Sequence, residues 1–290
     1  MKKFNYFAPK TVEEAVKILA GADKDTQIIA GGTDFIVQVN KKMISPEKVV
    51  DIKHIKELAY VREENEFIKI GALTNFSYLE SSEILNKKAK ALAIACGEVG
   101  SIQIRNLGTI GGNIVNASAA GDSIAALMAL DASVVLKSEK EERTMKLEEF
   151  YRGSGDCQIR KDEILTEIFF KAPSENSATS FKKLGKRKAL AIVVISIGAL
   201  IEKDKDNICT KAQISLGAIS RYPVRVREVE EALMGKELNR ENIEACIEKI
   251  SEITNVSVDN SPFKHLALYK GEAMKGIAEE LFDDILADLN

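Results

Sequence analysis

Two diglycine segments constrain this chain more than any other feature of it. The first lies in Ile28-Ile29-Ala30-Gly31-Gly32-Thr33-Asp34 and the second in Thr109-Ile110-Gly111-Gly112-Asn113. Paired glycines carry no Cβ and tolerate positive φ, so successive backbone N–H groups can turn toward a single anion. The adjoining threonines and asparagine add hydroxyl and amide donors. Two such loops, far apart in sequence, predict a fold that brings them together around one ligand with two adjacent phosphates, a dinucleotide. The usual fingerprints are missing: no G-x-G-x-x-G opens a helix, and there is no Walker loop.

Length and charge narrow the rest. The 290 residues leave room for two domains, and a hydrophobic content of 45% is enough for a substantial core. A net charge of -3 argues against nucleic acid as the main partner, because that role calls for a basic stripe. No apolar run approaches the ~20 residues of a transmembrane helix, so none is expected. The N-terminal Met1-Lys2-Lys3-Phe4-Asn5-Tyr6 is followed by no apolar segment and does not read as a secretory signal. The expected compartment is the cytoplasm. Cys96, Cys157, Cys209 and Cys246 are scattered and form no C-x-x-C pair, so neither a disulfide nor a metal or iron–sulfur site on this chain is expected. His54 and His265 have no acidic or nucleophilic partner at motif spacing and read as packed or solvated.

Along the chain, Thr11-Val12-Glu13-Glu14 reads as a capping box, with an apolar face of Val12, Ala15, Val16, Leu19 and Ala20 behind it. Gln27–Ala30 and Val49–Ile52 read as strands, and Ala59–Arg62 with Phe67–Ile70 as a hairpin turning at Glu63-Glu64-Asn65-Glu66. Leu85–Cys96 is alanine-rich with helical spacing and predicts one buried helix. Residues 97–121 are rich in Gly, Ser and Asn with few charges. They are read as a ligand-lining loop in preference to a buried crossover between subdomains. Asp122 is placed as the N-cap of a helix reaching Leu130, with a strand over Ala132–Lys137. The best linker is Ala172-Pro173-Ser174-Glu175-Asn176-Ser177. Beyond it come strands at Ser180–Leu184, Ile192–Ile201 and Thr210–Ala218, then helices at Arg227–Leu233, Arg240–Ile250 and Leu266–Leu286. Strands followed by helices predict an α+β domain with a three-stranded antiparallel sheet.

The pair Ile-Ala-Gly-Gly-Thr-Asp and Ile-Arg-Asn-Leu-Gly-Thr-Ile-Gly-Gly-Asn resembles the FAD-binding subunits of the molybdenum hydroxylases, the xanthine dehydrogenase family. Within that family the likeness is greatest to nicotinate dehydrogenase FAD subunits, and it runs from Phe4-Asn5-Tyr6-Phe7-Ala8-Pro9-Lys10 to the C-terminal helix. The resemblance implies an α+β chain in two parts. Residues 1–175 would form a two-subdomain FAD-binding domain of the vanillyl-alcohol-oxidase (PCMH) type. Residues 176–290 would form a smaller C-terminal domain of the CO dehydrogenase flavoprotein type. It implies that Ile28, Ile29, Ala30, Gly31, Gly32, Thr33, Asp34 and Phe35, with Thr109, Ile110, Gly111, Gly112 and Asn113, surround the pyrophosphate and nearby ribitol of FAD. Asp122 would match a family aspartate that follows a small-residue stretch, Leu165 and Lys182 would reach the cofactor from the second half of the site, and Gly100 would lie near the adenine side. The stretch Asn116-Ala117-Ser118-Ala119-Ala120-Gly121 lacks the proline seen in many members.

Each role has a physical reason. Glycine N–H groups neutralise pyrophosphate without immobilising long cations. Asp122 either accepts from ribose or ribitol hydroxyls or simply caps its helix. A cation at Lys182 would favour reduced, anionic flavin. Lys186-Arg187-Lys188 is either a solvated cluster or a site for the phosphates of NAD(P), and no site is assigned to it. The implied function is electron relay. [2Fe-2S] clusters of a small partner subunit would deliver electrons to FAD here, and NAD(P)+ or another acceptor would take them. A large partner subunit holding the molybdopterin cofactor would hydroxylate an N-heterocycle, purine or nicotinate-like. No catalytic residue is expected on this chain itself. The alternatives are a free-standing PCMH-fold flavin oxidoreductase and a non-enzymatic assembly module that has lost its cofactor.

Overall fold

The computed structural model of the chain describes residues 3–187, 190–259 and 264–290. Met1, Lys2 and Lys188, which entered the readings above, lie outside the described residues. The first subdomain runs β1 (Asn5–Phe7), α1 (Val12–Leu19), β2 (Thr26–Ile29), α2 (Phe35–Asn40) and β3 (Lys48–Asp51). Its strands form a parallel sheet in the order β1-β3-β2. Thr11 caps α1 by accepting from the Glu14 N–H at 3.2 Å, while Glu14 reaches back to the Lys10 N–H at 2.8 Å, one residue beyond the usual box. Val12, Ala15, Val16 and Leu19 pack with Val50, Ile52, Ile55 and Leu58 to form a small separate core.

The second subdomain holds the longer run β4 (Val61–Glu64), β5 (Phe67–Gly71), α3 (Phe76–Ser81), α4 (Glu83–Lys88), α5 (Lys90–Gly97), α6 (Ile102–Leu107), α7 (Ile110–Asn116), α8 (Asp122–Ala129), β6 (Ser133–Lys137), β7 (Glu142–Lys146), α9 (Leu147–Phe150), β8 (Tyr151–Gly153), β9 (Asp156–Cys157) and β10 (Ile164–Lys171). Its main sheet is antiparallel, ordered β4-β5-β10-β6-β7. The hairpin turn is tight because Asn65 and Glu66 both adopt positive φ, 50° and 65°. Two expectations change here. The helix predicted over Leu85–Cys96 breaks at Ala89, whose φ of -139° is not helical. Just past the break the Ala91 N–H donates to Thr179 Oγ1 at 3.1 Å, so a contact from the far domain offers an alternative to continuing the helix. The predicted loop over 97–121 instead winds into α6 and α7.

Residues 172–176 lead to the C-terminal elements: β11 (Ser177–Gly185), β12 (Val193–Lys203), β13 (Cys209–Gly217), β14 (Val224–Arg225), α10 (Arg227–Leu233), α11 (Arg240–Asp259) and α12 (Ala267–Leu289). The sheet is antiparallel and has four strands, not three. β14 is two residues long, too short to show alternation in sequence, and it pairs Arg225 with Ser215. Arg225 is buried against Glu230, which also accepts from the Ile214 N–H at 2.8 Å. The two sheets meet across α8, in which every residue from Asp122 to Ala129 is buried. Gly198 lets β12 approach that helix, since a Cβ there would lie 3.3 Å from Ala125 O. The Ser215 hydroxyl donates to the same carbonyl.

Candidate cofactor site

The first diglycine loop leaves the carboxyl end of β2 and enters α2. Gly32 has φ +76°, which favours glycine. Gly31 has ordinary φ but no room: a Cβ would stand 2.0 Å from Leu107 O. Its neighbour is the last residue of α6, so the first loop packs directly onto the chain leading into the second. Among the described residues, the backbone N–H groups of Ala30 through Phe35 meet no protein acceptor. A run of consecutive amides at the same place, with no Cβ on two of them, is an anion cradle. Asp34 lies within this run, one residue before its end at Phe35. Its side chain makes no cap bond to α2, and burial raises its pKa.

The second diglycine works differently. Thr109 is the N-cap of α7 and accepts from the Gly112 N–H at 3.2 Å. The Ile110 N–H donates to Thr74 O at 3.0 Å, Gly111 to Ala72 O at 2.9 Å and Asn113 to Thr109 O at 3.0 Å. These amides are therefore occupied, contrary to the expectation of two equivalent cradles. Gly111 is glycine because α7 presses on the end of β5: a Cβ would lie 2.7 Å from both the Cβ and the carbonyl oxygen of Ala72. At Gly112 a Cβ would approach only Thr109 Oγ1, at 2.9 Å, and the residue's outer face stays open. This loop offers side chains, the Thr109 hydroxyl and the Asn113 amide, whose Oδ1 is fixed by a 2.8 Å hydrogen bond from Ser123 Oγ.

Both loops line one cavity of about 450 Å³, a size typical of cofactor sites. Ile28, Ile29, Ala30, Gly31, Gly32, Thr33, Asp34, Phe35, Thr109, Gly111, Gly112, Asn113 and Leu165 all border it. Ile110 does not, because its side chain is fully buried in the core. Gly100, in a left-handed turn at φ +51°, stands behind Val99, which lines the cavity in its place. The wall also includes Gln38, Leu73, Ile104, Val115, Asn116 and Gly155, which the sequence reading missed. Gln38 follows Asp34 by one helical turn and was open to inference. Leu73 and Gly155 arrive by sheet packing and carried no local signal.

Lys182 does not face this side. It pairs with Asp284 on α12 at 2.9 Å. Strand alternation sends Lys183 the other way, where its Nζ donates to Asp122 Oδ2 at 2.8 Å and to Glu98 O at 2.7 Å. Neither lysine borders the cavity; the one that reaches Asp122 is Lys183, not Lys182. Asp122 is the first residue of α8 and not its cap, a position held by Gly121. It does not line the cavity, and its Oδ1 is buried without a partner among the described residues. Burial pushes its pKa up to about 6, with Lys183 opposing that shift. Cys96, Cys209 and Cys246 are buried thiols with pKa raised by burial, and Cys157 is half-buried. His54 and His265 are exposed.

These residues fit a bound dinucleotide: an open run of amides, polar side chains opposite, and apolar walls. Comparisons with known proteins agree. Residues 2–172 match the family described as FAD binding domain in molybdopterin dehydrogenase, and residues 180–280 the CO dehydrogenase flavoprotein C-terminal domain. The chain is 42% identical to the nicotinate dehydrogenase FAD-subunit of Eubacterium barkeri, covering 100% of this chain and 98% of the relative. It is 31% identical to the glyceraldehyde dehydrogenase medium chain of Sulfolobus acidocaldarius, covering 98% of each. Carbon monoxide dehydrogenase from Hydrogenophaga pseudoflava, solved in a form lacking the Mo-pyranopterin moiety of its cofactor, superposes with a TM-score of 0.89 at 27% identity, covering 99% of this chain and 98% of that one. The chain therefore belongs to the family of FAD-binding subunits of the molybdenum hydroxylases, the xanthine dehydrogenase-like oxidoreductases.

Proposed function

We propose that this chain is the electron relay of a multi-subunit hydroxylase. One-electron carriers, [2Fe-2S] clusters on a small partner subunit, would deliver to it, and NAD(P)+ or another acceptor would collect from it. The observation that carries the reading is the run of open amides from Ala30 to Phe35 facing Thr109 and Asn113 across one cavity. Bound there, FAD supplies the exchange between one-electron and two-electron carriers.

The chain's own residues bind and orient. The amides of the first loop neutralise pyrophosphate charge. The Thr109 hydroxyl and the Asn113 and Gln38 amides donate to ribitol or phosphate oxygens. Leu165, Ile104, Val115 and Phe35 exclude water from the cavity wall. Lys183 and Asp122 hold the C-terminal sheet against α8 just behind that wall, which fixes the position of Asn113 through Ser123. We assign residues 1–175 to the cofactor-binding domain and 176–290 to the C-terminal domain, and place the protein in the cytoplasm. No helix among the described residues is long and apolar enough to cross a membrane.

The reducing substrate would be an N-heterocycle, nicotinate-like or purine, hydroxylated on the molybdopterin subunit. Full-length likeness to a nicotinate dehydrogenase subunit favours this class over aldehydes. The test is the complex isolated from its source cells and mixed anaerobically with nicotinate, xanthine or glyceraldehyde. Bleaching of the flavin band by a heterocycle supports the proposal. Bleaching by glyceraldehyde alone overturns the substrate class, and a complex without flavin overturns the relay.

A further inference from the structure

Lys270 is a buried lysine far in sequence from every residue of the cavity wall. It ends the first turn of α12, is 7% exposed, and makes no ion pair among the described residues. An unpaired ammonium is costly to bury, and burial lowers its pKa. Its partner is a backbone atom: Nζ donates to Ala218 O at 2.7 Å. Ala218 follows β13 at φ +60°, a left-handed conformation that an alanine keeps only where its surroundings hold it. Both of its backbone polar groups are taken. The carbonyl accepts from Lys270, and the N–H donates across the domain boundary to Ala119 O at 3.2 Å. Ala119 belongs to the stretch 117–121, which joins Asn116 on the cavity wall to Asp122 at the start of α8. The stretch is Ala-Ser-Ala-Ala-Gly and has almost no side chain to anchor it. Backbone hydrogen bonds set its place. Ala117, also left-handed at φ +51°, accepts from the N–H of Gly155, a cavity residue, at 2.9 Å. Ser118 serves only its own stretch, accepting from the Ala120 and Gly121 N–H groups. Among the described residues, the bond from Ala218 is the one that holds this stretch from the C-terminal domain.

We propose that Lys270 is a positioning residue for the flavin site, acting through Ala218 and Ala119 to fix the cavity wall at Asn116. The inference rests on the reading of that cavity as the flavin site. A lysine suits the role because its apolar stem packs in the domain core while its head gives a charge-assisted hydrogen bond to a carbonyl. A residue that only packed there would need no ammonium, and methionine would fill similar space without the cost of a buried charge. The pattern Lys270–Ala218–Ala119 therefore makes the C-terminal domain part of the cofactor site, although none of its residues lines the cavity.

The test uses the full chain loaded with FAD, as wild type, Lys270→Met and Lys270→Arg. Methionine keeps an apolar stem and removes the donor, while arginine keeps a cationic donor. Three quantities are read: the rate of flavin release, hydrogen exchange at the Ala218 amide, and the urea midpoint of the flavin-free protein. The expected result for Lys270→Met is flavin release and Ala218 exchange each about tenfold faster, the effect of one lost hydrogen bond to a charged group. Its urea midpoint stays at or above wild type, because relief of a buried charge offsets the lost bond. Lys270→Arg returns both rates toward wild type. Wild-type release and exchange in Lys270→Met overturn the proposal and leave the flavin site intact. A fall in urea midpoint that accompanies the loss of flavin and is not relieved by arginine also overturns it, since Lys270 then serves the core alone. Should Lys270→Met fail to fold, Lys270→Gln, one atom shorter and uncharged, is read by the same criteria. A wild-type chain that takes up no flavin overturns the cofactor site together with this role.

Discussion

Lys183 on β11 donates to Asp122 at the start of α8 over 2.8 Å, joining the C-terminal sheet to the cofactor domain through a buried ion pair. The carboxylate keeps one oxygen without a partner among the described residues, so the pair is only partly compensated. Removing one member of such a pair strands the other and costs about 3–5 kcal/mol.

Asp122 also sets a pH dependence. Its pKa is raised by burial from 3.8 to about 6. The folded state therefore holds this proton more tightly than the unfolded one, and the group stabilises most below about pH 4. That contribution falls as pH climbs through 6, by about 3 kcal/mol in all. Asp122→Asn has no such proton to lose. Its stability relative to wild type should shift in the variant's favour by about that amount between pH 4 and pH 7. Urea melts of the flavin-free proteins across this range check it, and a pH-independent difference would contradict the assignment.

The neighbouring lysines separate cleanly. Lys182 makes a partly exposed pair with Asp284, so Lys182→Ala should change stability by no more than about 1 kcal/mol and leave flavin content intact. Lys183→Met should cost about 3–5 kcal/mol, because Asp122 loses its partner, and should lower flavin content with it. Denaturation curves and flavin-to-protein ratios on both variants decide which lysine serves the site.

That correction shows where sequence reading runs out. The diglycine loops were legible because their message is local: missing Cβ atoms and adjoining donors. α10 was read to the residue, Arg227–Leu233, since its periodicity and flanks lie within the segment. The choice between Lys182 and Lys183 depends on strand register, and a slip of one residue moves a side chain to the opposite face. The break at Ala89 lies beside a hydrogen bond to Thr179, far along the chain, and no Gly or Pro marks it. The different use of the two loops was equally hidden. Gly111 and Gly31 answer to Ala72 and Leu107, packing partners that local sequence cannot name.

Gly31→Ala should be the more damaging of two small changes. Its Cβ would fall 2.0 Å from Leu107 O, a backbone atom that cannot swing aside. The loops must part, with a cost of about 1–3 kcal/mol from overpacking and loss of most bound flavin. Gly21→Ala adds a Cβ with nothing within 4 Å and should be neutral on both counts. Thermal melts and flavin content of the pair are the measurement.

Gly112→Val should empty the site while leaving the fold. The position is not in the left-handed region, so the effect comes from space alone. The new side chain would crowd Thr109 Oγ1 at a position that borders the cavity. Circular dichroism should stay near wild type while flavin content falls at least tenfold. Full flavin retention would mean that the second loop does not border the bound cofactor.

Expressed alone and loaded with FAD, the chain should hydroxylate nothing. Among the described residues no group of three or more His, Cys, Asp or Glu side chains is placed to hold a metal, so elemental analysis should find neither iron nor molybdenum in stoichiometric amounts. Without a molybdenum centre there is nowhere for water to be activated toward a heterocycle. Electron passage from NADH or NADPH to an artificial dye is a lesser demand. It requires only a hydride donor within reach of the flavin, held in line by the cavity. Reconstitution with the iron–sulfur and molybdenum partners should then restore flavin reduction by the heterocycle, followed as stopped-flow loss of the flavin band. Turnover of a heterocycle by the lone chain would refute the division of labour. A full assembly that reduces its clusters but never this flavin would remove the chain from the electron path.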